Sequence, residues 1–98
     1  MTNYLFAFRG TLDPDSPATQ EAVWRTWFAR LGEAIVDWGH RVGHCTTVRA
    51  ERPAHPAPDS LTGYLVVRAE SMDQATELAK GCPILPAGGS VEVGETFD

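Results

Sequence analysis

The chain has 98 residues, 43% hydrophobic and 21% charged, with a net charge of −5 at pH 7. A chain this short buries only ~60–65% of its unfolded surface, so it is read as one domain over 1–98. With no apolar run near the ~18 residues of a membrane span and only two cysteines, a membrane protein and a disulfide scaffold are excluded.

Asn3 to Arg9 is predicted as a strand, because it is short, aromatic-rich and ended by Gly10. The breaker cluster Asp13-Pro14-Asp15-Ser16-Pro17 follows as a loop, in which Ser16 serves as an N-cap and Pro17 as the first helical residue. The helix is predicted to run to about Trp38. Val23, Trp24, Trp27, Phe28, Leu31, Ala34, Ile35 and Trp38 recur at spacings of three and four, and Gly39 takes the C-terminal cap. Core packing is expected for all three tryptophans.

Arg41 to Arg49 is predicted as a second strand, from β-branched Val42, Thr46, Thr47 and Val48. The segment 52–60, with Pro53, Pro56 and Pro58, is predicted as a loop. Leu61 to Ala69 is a third strand. Ser71 with Gln74 three residues on forms a capping box opening a second helix, with Met72, Ala75, Leu78 and Ala79 as its apolar stripe. Lys80 and Gly81 close that helix, Gly88-Gly89 makes a turn, and Ser90 to Thr96 is the last strand.

The order β-α-β-β-α-β predicts a ferredoxin-like α+β sandwich, a four-stranded antiparallel sheet with two helices on one face. In the first strand Leu5 and Ala7 point one way and Tyr4, Phe6 and Phe8 the other. In the third, Leu65 and Val67 alternate with Tyr64 and Val66. Strands apolar on both faces need a cover on the side away from the helices. A second copy of the chain is the expected one, giving a homodimer through the sheet face, with a flap formed by the Pro-rich loop 52–60 as the alternative.

The run Leu61-Thr62-Gly63-Tyr64, then Ala69 to Ala75, Leu78-Ala79-Lys80-Gly81-Cys82-Pro83 and Gly88-Gly89-Ser90-Val91-Glu92-Val93, resembles the C-terminal half of YCII-related proteins. The N-terminal half is similar in pattern, with a strand, a Trp-rich helix, and Leu31-Gly32 through to Gly39. The resemblance implies a dimeric α+β barrel with two sheets face to face. Some YCII-like proteins carry a proposed catalytic pair, a His on the first helix and an Asp before a Pro after the second. The matching positions here hold Phe28 and Cys82, and Phe cannot move a proton, so that acid–base chemistry does not carry over. The Asp-Gly-Pro-Phe motif of a related subgroup is not matched either; the loop reads Ala57-Pro58-Asp59-Ser60.

Four groups of residues are candidates for chemistry. His44, placed by the strand prediction inside the sheet, is either a hydrogen-bonded structural residue or a general base facing the cavity. Arg9, at a strand end, is an exposed charge or a clamp for a carboxylate or phenolate. Tyr64 packs in an interface or lends a hydroxyl to a pocket. Cys45 and Cys82 are expected as small buried hydrophobes, unpaired in a cytoplasm, since no export-type leader is read at the start. Asp37, His40 and His44 share no face, so no metal is expected, and no cofactor motif is present. Arg41, Arg49 and Arg52 are the basic cluster, but the acidic balance argues against nucleic acid.

These readings lead to a small-molecule-binding or accessory homodimer without the His/Asp pair. The alternative is a cofactor-independent enzyme, an isomerase, lyase or oxygenase acting on a small aromatic or lactone-like substrate between sheets.

Overall fold

The computed structural model describes residues 1–10, 21–56 and 60–97. The elements in chain order are β1 (Thr2–Arg9), α1 (Glu21–Leu31), a 3-10 turn (Gly32–Ala34), β2 (Ile35–Arg41), β3 (Thr46–Arg49), β4 (Arg52–Pro56), β5 (Leu61–Ala69), α2 (Met72–Ala79) and β6 (Ser90–Glu95). Four strands form one antiparallel sheet in the order β2-β5-β1-β6, and β3 and β4 form a separate two-stranded hairpin. The fold is α+β, with a four-stranded antiparallel sheet and two helices, compatible with a ferredoxin-like arrangement.

The central pair β1 and β5 runs in register from Thr2↔Ala69 to Phe8↔Gly63. Tyr4, Phe6, Phe8, Leu65, Val67 and Ala69 form the side of the sheet that enters the core. Trp27 and Leu31 of α1 and Ala75 and Ala79 of α2 meet them there, so both helices pack on this one face. Phe6 stacks on Trp27, and Phe8 meets Trp24 and Trp27 edge-on. The Trp27 Nε1–H donates to the Leu78 carbonyl at 3.1 Å and ties the two helices together. Ser71 caps α2 as expected, its hydroxyl accepting from the Gln74 amide, while the Gln74 side chain accepts from the Glu70 amide. Met72, assigned to the apolar stripe, is instead exposed.

Three expectations are corrected. The first helix stops at Leu31, because Gly32 takes a left-handed φ of +53° and ends it. Ile35-Val36 then favours extended chain, and the second strand is Ile35–Arg41 rather than Arg41–Arg49. Trp38 therefore lies on a strand edge, 63% exposed, with its ring against Phe28. Finally, the Pro-rich stretch is not all loop, since its first five residues are β4. Both strands of a two-stranded hairpin are edges, where a missing proline N–H costs little. The predicted helix start at Ser16-Pro17 and the Ala57-Pro58-Asp59 stretch lie outside the described residues.

Candidate functional site

The sheet face away from the helices carries the candidate site. Alternation puts Leu5 and Ala7 of β1 and Tyr64 and Val66 of β5 on this side, opposite one another as Leu5↔Val66 and Ala7↔Tyr64. Leu5, Tyr64 and Val66 are half-buried and Ala7 is buried. The outer strands extend the same rows, Glu92 opposite Ala7 on β6 and His40 opposite Tyr64 on β2. One row across the sheet is thus Glu92, Ala7, Tyr64, His40. The next is Gly94, Leu5, Val66, Asp37.

Three irregularities aim the polar members of this face, the first of them a slip between Ile35 and Asp37 that turns Asp37 to the open side while Ile35 stays against the core. Between Phe8↔Gly63 and Arg9↔Leu61 the residue Thr62 is extra, and its hydroxyl donates to the Phe8 carbonyl at 3.1 Å. Beyond this bulge Arg9 reaches Glu92, with Nε 3.4 Å from Oε1. On β2 the register slips between Asp37 and His40. Gly39 makes that slip possible. Its φ is +62°, its N–H donates to Asp37 Oδ1 at 2.8 Å, and a Cβ there would lie 1.9 Å from the Tyr64 carbonyl oxygen. Only glycine lets β2 approach β5 so closely, and the consequence is the His40 ring 6.1 Å from the Tyr64 ring.

The candidates read from the sequence are only partly brought together. Arg9 and Tyr64 do share the open face. His44 does not: it sits in the exposed link between β2 and β3, outside the sheet, because β2 ends at Arg41. His40, named above only with Asp37 and His44 in discounting a metal, takes the place in the sheet. The residues that sequence reasoning missed are His40 and Glu92. The available signal was Gly39, since a glycine inside a strand marks a bulge; the helical spacing of Trp38 made it look like a cap.

Within one protomer the row has limited chemistry. Strands lie ~4.8 Å apart, so three gaps put His40 about 14 Å from Glu92, too far for a proton to pass between them. Among the described residues no group of three or more His, Cys, Asp or Glu gathers to hold a metal. The Cys45 thiol donates to the Leu61 carbonyl at 3.4 Å, and Cys45 is half-buried rather than buried. Cys82 is buried, which pushes its thiol from the ordinary 9.0 up to about 12 against a small lowering from a backbone hydrogen bond at Ile84. It stays protonated at neutral pH and is no nucleophile. Two open grooves of about 460 and 450 Å³ flank α1 on the helix side. One is lined by Trp27, Arg30, Lys80 and Pro83, the other by Trp24, Phe28 and Trp38.

No helix among the described residues is long and apolar enough to cross a membrane. Comparison of the sequence with protein-family models and with curated proteins gives no match.

Proposed function

We propose that the chain is a YCII-related protein that forms a homodimer through the open sheet face and binds a small molecule between the two sheets. The observation that carries this reading is the composition of that face. Four apolar or small residues, Leu5, Ala7, Tyr64 and Val66, lie at its centre, and Arg9, Glu92 and His40 stand along its rim. A small-molecule site has this make-up, an apolar floor with a few convergent polar groups. Both cysteines are free thiols, which suits a reducing cytoplasm.

The cofactor-independent enzyme is kept as the second reading because His40 and Tyr64 share the face, a base and a hydroxyl at ring-contact distance. The lack of the family's His/Asp pair at Phe28 and Cys82 favours binding over catalysis.

Sedimentation at micromolar concentration tests the dimer, with an expected mass about twice 10.7 kDa. Titration with benzoate, followed by NMR, tests the ligand. Shifts at Leu5, Ala7, Tyr64 and Val66 that weaken in the Arg9→Gln variant are expected. A monomer, or benzoate shifts confined to the grooves beside α1, would overturn the reading.

A further inference from the structure

The row Glu92, Ala7, Tyr64, His40 is self-complementary when reversed. Read backwards it offers an imidazole to a carboxylate and a large ring to a small side chain, at both ends and in the middle alike. The second row, Gly94, Leu5, Val66, Asp37, behaves in the same way, small against polar at the ends and Leu5 against Val66 between. A face-to-face pair of sheets can be related by a two-fold axis along the strands or across them. An axis along the strands lays β2 of one protomer over β6 of the other and reverses each row. An axis across the strands lays each strand over its own copy. Carboxylate then meets carboxylate, Tyr64 meets its own counterpart, and Ala7 faces Ala7 across a gap.

We infer that the dimer uses the axis along the strands and that its site is composite, with His40 and Tyr64 of one protomer meeting Glu92 of the partner subunit. This rests on the homodimer proposed above and specifies its geometry and its site. The Arg9–Glu92 ion pair within each protomer then delivers a carboxylate, already held at 3.4 Å, to the imidazole of the other chain. A carboxylate beside an imidazole hydrogen-bonds one ring nitrogen and orients the ring. Neither protomer holds that pair alone, since its own His40 and Glu92 stand ~14 Å apart by strand spacing. The ligand class that fits two such sites related by symmetry is a small planar molecule with an ionisable hydroxyl or carboxyl. Tyr64 supplies the ring contact, and His40 a hydrogen-bonding partner for the hydroxyl or carboxyl.

The charge distribution points to the same occupant. Arg41, Arg49 and Arg52 against Glu51 leave the segment 41–56 at +2, so the rest of the chain carries −7. Arg49 stands directly opposite Arg52 in the hairpin, like charges paired across two strands at its tip. The hairpin continues from the β2 edge, and Val48 on it is 78% exposed. An isolated two-stranded hairpin is marginal in water. On the axis along the strands the β2 edge from which this basic arm leaves lies over β6 of the partner subunit, and Glu92 and Glu95 of β6 are both exposed.

Cross-linking between introduced cysteines separates the two axes. In a Cys45→Ala background, Cys82 stays buried and unlabelled. The variants are His40→Cys, Glu92→Cys and the two together, each treated with a bismaleimide spanning about 10 Å, the separation of packed sheets. A covalent dimer is expected from the double variant and from neither single one. Covalent dimer from either single variant would overturn the inference while leaving the homodimer standing. So would a non-covalent dimer by sedimentation that the reagent never captures. A monomer in sedimentation of the unmodified protein would overturn both the inference and the dimer on which it rests.

Discussion

Gly39 is where a single residue decides the site. It combines a positive φ with an approach to the Tyr64 backbone that no Cβ can share. Gly39→Ala is expected to cost about 2–4 kcal/mol in a urea melt, through strain and the forced separation of β2 from β5. The exposed His44 gives the opposite expectation. His44→Gln should leave the urea midpoint within ~0.5 kcal/mol of the parent, as for surface substitutions in general. A midpoint lowered by ~1–3 kcal/mol would restore His44 as a buried, hydrogen-bonded residue. Cys82 adds a pH dependence. Below its ordinary 9.0 the thiol is neutral folded or unfolded; above it the unfolded chain ionises first. Stability is therefore lost as pH rises from about 9 towards about 12. Thermal melts from pH 8 to 11 should show a shallower decline in the Cys82→Ala variant than in the parent.

At the scale of elements, α2 is the most self-sufficient piece. Its start is set by side chains within four residues, Ser71 accepting from the Gln74 amide of the first turn and Gln74 from the Glu70 amide just before the cap. Ser71→Ala is expected to lower stability by ~1 kcal/mol, measured by chemical denaturation at fixed protein concentration. The first helix shows how a periodicity can mislead. Ala34, Ile35 and Trp38 continue the spacing of Trp27 and Leu31, yet Gly32 turns the chain and the next residues pair with β5. Those strand bonds draw on a neighbour thirty residues away, invisible to a local pattern. The hairpin was missed for the complementary reason. Its prolines argue against a central strand, but among the described strands β3 and β4 pair with each other and no third.

As a whole the molecule is more extended than its length requires. The radius of gyration is 14.2 Å, against about 12.6 Å for a compact domain of this size. The smallest extent, 19 Å, is what one sheet with a single layer of helices occupies. Among the described residues no layer covers the second face of the sheet, and the proposed dimer would supply one. Ala7→Phe puts a large ring where the inferred axis seats Tyr64 of the partner subunit. It is expected to convert the dimer to a monomer with unchanged circular dichroism, because Ala7 points away from the helices. A dimer of undiminished affinity after this change would place the contact elsewhere.

The strands Thr2–Arg9, Leu61–Ala69 and Ser90–Glu95 and the capped helix α2 were legible in the sequence. Their signals are local: alternation, a capping box and breakers at their ends. So was the need for a cover on one side of the sheet, because both strands read apolar on both faces; which set lies away from the helices was not. Alternation set Tyr64 with Val66 against Leu65 and Val67, but only the structure shows that their side, with Arg9, faces away from the helices. The tertiary structure alone decided where the second strand lies, and with it which histidine joins the face. That choice rests on Gly32 ending the helix and Gly39 admitting the Tyr64 carbonyl, two backbone events whose cause is a contact with a distant strand. Side-chain periodicity carries no record of such a contact, so His44 was favoured over His40 until the register of β2 against β5 was known.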